Sequence, residues 1–365
     1  MANIVYHIPW KIKGGRKSAT GVRPLEMLQA FIDLGHCVDV VMGDSKTRRK
    51  SLIEIKKKII LGVQYDLVYS ESSVAPTFIA SGWKDYVRYG SIDFAFLKFC
   101  RKKHIPLTLF YRDIYWKYPS HTSDSYLLKQ IIMQAAYRLD LLWYKRWVNI
   151  LYLPSLKMTK LLGNFNFKAI QLPPGGKINK NDDIDRPKDS DSPIRLFYVG
   201  GATGGYKLHK LFSVISEMDN ISLTFCTRED EWIRVRDEYT MSENISVIHK
   251  SGKELEVEYN KCDLGLMFLE SDEYRTFSMP VKMFEYVSYL KPIIATANTA
   301  AGEWVEANKA GWTIPYAEEN LKSLLENLKK NPLKIEHIRN NLKILKKDNL
   351  WTSRVEQILE DVKSC

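Results

Sequence analysis

The chain has 365 residues, 45% of them hydrophobic and 27% charged, with a net charge of +11; this is room for two domains of ordinary globular composition. The cysteines Cys37, Cys100, Cys226, Cys262 and Cys365 are odd in number and scattered, with no C-x-x-C, which argues against a disulfide framework or structural zinc and for a reducing cytoplasm. No apolar run reaches the roughly 20 residues of a membrane span, and the opening MANIVYHIPW lacks a basic region followed by a long apolar core, so no signal peptide is expected.

The first half alternates strands and helices. NIVYHI (3–8) reads as a strand, VRPLEMLQAFIDLG (22–35) as a helix stopped by Gly35, and HCVDVVMG (36–43) as the second strand. YDLVYSES (65–72), PLTLFYRD (106–113) and NILYLPS (149–155) follow as further strands. Residues 173–193, rich in Pro, Gly, Asp, Lys and Asn, form the best linker candidate. The pattern then restarts with IRLFYVGG (194–201), ISLTFCT (221–227), ISVIHK (245–250), CDLGLMFLE (262–270) and KPIIAT (291–296). Strands that alternate with helices pair in parallel, giving two doubly wound α/β domains. Charge divides the same way. Residues 1–175 hold 27 Lys and Arg against 12 Asp and Glu, while the remainder holds 27 against 31. A basic half is drawn to an anionic surface, nucleic acid or lipid.

Two stretches of the second half have the parts of a nucleotide site. In SMPVKMFEYVSYLKP (278–292), Ser278 can cap a helix and Pro280 fits its first turn, with the helix running to about Leu290. Lys282 and Glu285 then share one face near the N-terminus. There a lysine and the helix dipole suit a diphosphate, and a carboxylate can accept from ribose hydroxyls. The same spacing also fits a solvated i,i+3 salt pair. In YVGGATGGYKL (198–208), glycines follow a strand, which lets backbone approach a phosphate, with Lys207 as a second cation. It is neither a Walker loop nor a G-x-G-x-x-G fingerprint, and a plain strand–helix turn is the other reading.

Taken together these stretches resemble the GT-B glycosyltransferases, especially the large group-1-like kind that builds bacterial surface polysaccharides such as capsule and lipopolysaccharide. The resemblance is carried by the glycine turn at 198–205, by YNKCDLGLMFLE (259–270), by the 280–294 segment, by NTAAGEWVEANKAGW (298–312), and by NLWTSRVEQILEDV (349–362) as a C-terminal helix. It implies two Rossmann-like domains facing a central cleft. Residues 1–175 would bind the acceptor, 176–193 link, 194–348 bind the nucleotide sugar, and 349–365 form a helix crossing back to the first domain. It further implies ribose on Glu285, diphosphate on Lys282 or Lys207 and on the backbone at Gly200, Gly201 and Gly204, and base or sugar beside Asp263, Glu270 and Tyr274. Many such proteins carry an earlier glutamate near the donor sugar. Ser278 stands in that place here, so Glu270 or Glu273 would have to replace it, and retaining and inverting transfer both stay open.

The leaving diphosphate needs positive charge. DDID (182–185) lies in the linker and no other D-x-D stands near the site, so neither a metal nor another cofactor is expected. The donor is expected to be a nucleoside-diphosphate sugar, UDP-linked. On the acceptor side, LFYRDIYWKYP (109–119) places Arg112 and Asp113 at the end of a strand. Asp113 is the leading base for an acceptor hydroxyl, with Glu71 and His121 behind it. Tyr115, Trp116 and Tyr118 suit stacking on sugar rings. A surface ion pair beside a half-buried aromatic cluster is the other reading. His7 reads as a packed histidine. In GGRKSATGVRP (14–24), Arg16, Lys17 and Arg23 are candidate contacts to an acceptor phosphate, or members of a solvated basic loop. The resemblance implies a glycan or lipid-linked acceptor, and the basic half with the aromatic, basic stretch 126–153 suits peripheral attachment to the inner face of the plasma membrane; a buried helix is the alternative for that stretch. Other readings are an inactive scaffold of this fold, a sugar-nucleotide epimerase, and a nucleic-acid-binding protein, although no helix-turn-helix, zinc or RRM signature is present and no nucleic acid is expected.

Overall fold

Apolar runs covered by helices on both sides form parallel strands, and the chain builds two sheets of that kind. They are seen in a computed structural model that describes residues 1–12, 19–77, 91–118, 127–163, 165–179 and 193–364. In the first sheet β1 (Asn3–His7), β2 (Cys37–Val41), β3 (Leu67–Glu71), β4 (Leu107–Phe110), β5 (Ile150–Leu153) and β6 (Ala169–Gln171) lie in the order β2-β1-β3-β4-β5-β6, all parallel. The inner β3, β4 and β5 are buried along their whole length, whereas the edges β2 and β6 are partly exposed. In the second sheet β7 (Ile194–Val199), β8 (Ile221–Cys226), β9 (Ile245–Ile248), β10 (Leu264–Met267), β11 (Ile293–Thr296) and β12 (Gly311–Ile314) lie in the order β12-β11-β10-β7-β8-β9, again all parallel.

The chain divides into two compact units, Met1–Pro173 with Arg354–Cys365, and Pro174–Ser353. It passes from one unit to the other twice, at Pro173–Pro174 and within the last helix, Trp351–Val362. That helix buries Trp351, Val355 and Ile358 at helical spacing. In the first unit, Arg354 and Gln357 donate to the carbonyls of Pro173 and Gln171, and Tyr152 donates to Asp361.

β6 and β12 were not expected from the sequence. Both are short and only half-buried, so neither shows the alternation or the continuous apolar run that marks a strand. β12 rests on Gly311, where a Cβ would lie 1.9 Å from the carbonyl oxygen of Ile293. The residues 298–312, read as a loop, a helix and a glycine-marked turn, hold the helix Ala300–Ala307 and then enter this strand.

Alternate residues of the second sheet face opposite cores. Leu196, Tyr198, Leu223, Phe225, Leu264 and Leu266 pack on one side, and Phe197, Met267, Ile293 and Ala295 on the other, as the period of a strand requires.

The first unit also buries charge. Arg48 grips Asp93 with Nε at 3.0 Å and Nη2 at 2.8 Å, and His7 joins Asp93 to Ser70 through contacts of 2.9 and 2.8 Å. Burial pushes the Asp93 carboxyl up, but these bonds prevail and hold it at about 2. Asp140 has the opposite setting. Its Oδ2 accepts the Thr77 N–H at 2.6 Å, while Oδ1 has no hydrogen-bond partner. Burial lifts its carboxyl to about 7, against the pull of the Thr77 bonds.

A carboxyl raised on folding favours the protonated protein. Its full stability is present below the unfolded pKa and is lost as pH rises through the folded one. We therefore expect Asp140→Asn to match the wild type at about pH 4 and to exceed it by about 2–4 kcal/mol above the folded pKa. Urea unfolding across that range measures the difference.

Candidate functional site

The strand order of the second sheet reverses between β7 and β10. Doubly wound sheets bind ligands outside the carboxyl ends of their strands at such a reversal. Three segments meet there in sequence terms: the glycine turn that leaves β7, the 268–276 segment that leaves β10, and the helix Val281–Ser288.

That helix is shorter than expected. Pro280, not Ser278, occupies the N-cap position and no side chain caps the first turn. The helix stops at Ser288 instead of Leu290 because Leu290 takes a left-handed conformation, φ 55°, to turn the chain toward β11. Two glycines seat it. A Cβ on Gly265 of β10 would lie 2.4 Å from the Tyr286 ring, and one on Gly176 would lie 2.4 Å from the Phe284 carbonyl oxygen. Tyr286 in turn donates to the Phe197 carbonyl at 3.0 Å.

Seated this way, the helix sends Lys282 and Glu285 to different partners. Glu285 accepts a hydrogen bond from Tyr259, whose ring stacks on Tyr289 at 4.8 Å. Lys282 is half-buried along its stem, but its Nζ is closed to solvent and has no hydrogen-bond acceptor. It lies over the Tyr198 ring, 3.7 Å from the centroid. A Cβ on Gly200 would stand 2.8 Å from the Tyr198 hydroxyl and 3.0 Å from Lys282 Nζ, so the glycine leaves space for the amine. Burying an unpaired ammonium costs several kcal/mol, against roughly 0.5–2 kcal/mol from a cation–π contact. Burial prevails and pushes the Lys282 amine well below its ordinary value; Arg275 adds to this and Glu285 opposes it.

Arg275 is a candidate-site residue that the sequence reading, with Glu273 and Tyr274 beside it, does not single out. Its guanidinium donates to the Gly205 carbonyl at 2.7 Å, pairs with Asp272, and lies 5.5 Å from the Tyr206 ring centroid. It thereby ties the glycine turn to the 272–276 turn. The available signal was an Asp–Arg pair three residues apart in SDEYR. Tyr274 itself packs edge-on against Phe277 at 5.1 Å. Gly204, exposed, turns the chain with φ 67°. Gly201 leaves room for Tyr206, whose ring would be 2.8 Å from a Cβ there. Two amides of the turn are already committed: Gly200 N–H to the Cys226 carbonyl at 3.0 Å, and Ala202 N–H to Glu231 at 2.9 Å.

Lys207 and Glu270 pair at 3.1 Å, both largely exposed, so the pair itself contributes little. Asp263 departs from expectation. It lies just ahead of β10, at the amino end of the strands, and is gripped by Arg195 at 3.0 and 3.2 Å and by the Arg195 N–H at 2.8 Å. This half-buried clamp joins β7 to β10 and faces away from the glycine turn. The Phe277-Ser278-Met279 run offers no carboxylate, and Glu273 is exposed.

In the first unit the order reverses between β1 and β3. Glu71, at the end of β3, is wholly buried. It is held by Arg112 at 2.9 Å, Arg23 at 3.4 Å and the Tyr69 hydroxyl at 3.0 Å. Arg23 belongs to the helix Ala19–Asp33 and is itself buried, 3.4 Å from the Phe110 ring centroid, so it is no part of a solvated loop. Arg112 lies 5.1 Å from the Trp10 ring centroid. Asp113 is half-buried and accepts the Ile114 N–H at 2.7 Å. Trp116 donates to the Tyr111 hydroxyl at 3.2 Å and stacks on Tyr137 at 5.1 Å. Arg16, Lys17 and His121 lie outside the described residues, as does the side chain of Tyr115. His7 is packed in the Asp93 network. The helix Leu127–Trp147 exposes Ile131, Leu139 and Leu142 beside Arg138, Lys145 and Arg146. Among the described residues no group of three or more His, Cys, Asp and Glu gathers that could hold a metal ion.

No family model matches the chain, and no curated protein matches it in sequence. Solved structures do match in fold. HepE from Anabaena, in complex with UDP and glucose, aligns over 100% of both chains at 14% identity with a TM-score of 0.63. Sucrose-phosphate synthase from Thermosynechococcus elongatus covers 100% of this chain and 99% of its own at 12% identity and TM-score 0.63. WaaG, a glycosyltransferase involved in lipopolysaccharide biosynthesis, covers 98% and 99% at 11% identity and TM-score 0.58. The architecture is the GT-B one, two Rossmann-like domains, each with a parallel six-stranded sheet.

Because Gly265 makes the seat for Tyr286, Gly265→Ala should overpack the interface and cost roughly 1–3 kcal/mol. A lowered urea midpoint with an unchanged slope checks this; an unchanged midpoint would mean that the helix is seated by other contacts.

Proposed function

We propose that the protein is a glycosyltransferase that moves a sugar from a UDP-linked donor to a glycan or lipid-linked acceptor in bacterial surface polysaccharide assembly. The observation that carries this reading is the placement of Lys282 and Glu285, each with its own partner, on a glycine-seated helix at the strand-order reversal of the second sheet. The structure of HepE with UDP and glucose supports the choice of donor.

On this reading Glu285, oriented by Tyr259, accepts from the ribose hydroxyls. Lys282, Arg275 and the N-terminus of Val281–Ser288 meet the charge that collects on the departing diphosphate, with Lys207 at the rim and the backbone at Gly200, Gly201 and Gly204 beside it. Glu270 and Tyr274 flank base or sugar. The charge is met by side chains and a dipole, so we propose transfer without a metal.

On the acceptor side Asp113 takes the hydroxyl proton as oxygen attacks the anomeric carbon and the bond to the diphosphate breaks. The lack of a carboxylate at 277–279 favours this single displacement. Glu71 serves by fixing Arg112, whose guanidinium would otherwise be free to swing. Trp116 suits a sugar ring and Arg16 and Lys17 an acceptor phosphate, whereas Arg23, buried between Glu71 and Phe110, supports Glu71. The apolar stripe of Leu127–Trp147 with its arginines and lysine suits an anionic cytoplasmic membrane surface.

Calorimetry with UDP, GDP and ADP, with and without EDTA, tests the reading. UDP should bind in the presence of EDTA. Glu285→Ala, still folded, should weaken UDP by roughly 1–3 kcal/mol, the value of lost charged hydrogen bonds. Equal affinity in variant and wild type would remove Glu285 from the site.

A further inference from the structure

Buried lysines normally find oxygen. Lys291 of the same unit, also buried, donates to the Cys262 carbonyl at 2.8 Å, and even the more exposed Lys250 and Lys207 pair with Glu258 and Glu270. Lys282 Nζ meets no acceptor at all. From the end of β7 it faces the Tyr198 ring, and from the glycine turn the backbone of Gly200. From the 274–276 turn it faces the charge of Arg275, whose partner ring is Tyr206. From its own helix it faces Glu285, which is bonded to Tyr259. The nearby guanidinium stays charged at every accessible pH and repels an ammonium while no anion is present.

We propose that a diphosphate binds this site together with a proton, taken up by Lys282 Nζ. In the empty protein the amine is neutral and rests on the Tyr198 ring. A bound diphosphate supplies the missing acceptor and offsets Arg275, so the nitrogen lone pair takes a proton from solvent and the resulting ammonium pairs with a phosphate oxygen. Nothing is oxidised or reduced. This rests on the nucleotide-site reading above and adds that the site takes its diphosphate with a proton. Binding energy otherwise available for the ground state is then partly used to create the charge that the leaving group requires.

The test is titration calorimetry of the full chain with UDP, and separately with inorganic pyrophosphate, in two buffers of different ionisation enthalpy at mildly alkaline pH. There diphosphates and carboxylates are already ionised and histidines are neutral. We expect uptake of about one proton per UDP, and an affinity that falls up to about tenfold per pH unit. Lys282→Met should bind roughly tenfold or more weakly and without uptake. Lys282→Arg, charged throughout, should bind without uptake and covers the case of a misfolded Lys282→Met. Measurable UDP binding with no net uptake overturns the inference and leaves the nucleotide site standing. Uptake that persists in both variants also overturns it. If neither UDP nor pyrophosphate binds the folded wild type, both readings fall.

Discussion

The second unit turns on the absence of one side chain. Gly265 has none, so the Tyr286 ring can lie against β10 and its hydroxyl can reach the Phe197 carbonyl. That contact sets both the height and the rotation of the helix Val281–Ser288. Lys282 then falls on Tyr198 and Glu285 on Tyr259. Gly200 and Gly176 act the same way on the glycine turn and on the far side of the helix. A helix held by removed volume is close-packed and has few alternative positions. Charged groups that must act at fixed distances need that kind of support.

The two units treat buried charge differently. In the first, the buried carboxylates among the described residues are satisfied, with Asp140, on a helix, as the exception: Glu71 lies between Arg23 and Arg112, and Asp93 between Arg48 and His7. Such networks cost more to break than they contribute when intact, and they fix the geometry of the residues at the ends of β1, β3 and β4. In the second unit the Arg195–Asp263 clamp is of this satisfied kind, whereas Lys282 is left without an acceptor. A satisfied pair makes a scaffold. A buried amine without an acceptor at a strand-order reversal, beside the Arg275 cation, is an arrangement that a bound anion would complete.

This difference also explains which site residues the sequence could suggest. Lys282 and Glu285 are three apart on one helix, so their common face follows from helical geometry alone. The glycine turn was visible because only glycines allow such close approach. Arg275 escaped notice because its contact with the Gly205 carbonyl joins positions 70 residues apart. Asp263 was misplaced despite its chain order. It precedes the apolar run of β10 whereas the glycine turn follows β7, so in parallel strands the two lie at opposite ends; what chain order does not show is the Arg195 clamp that holds it there.

By itself the sequence determined the secondary structure of the inner strands, their parallel arrangement and the division into two doubly wound domains, because hydrophobic period and strand–helix alternation are local properties. It also determined that a lysine and a glutamate share one helix face. Only the tertiary structure decided the edge strands β6 and β12, the early end of the helix at Ser288, the burial of Arg23 and Glu71, and the protonation setting of Lys282. Each of these depends on what distant parts of the chain place beside a residue. Desolvation and close packing arise from those neighbours, and no local pattern encodes them.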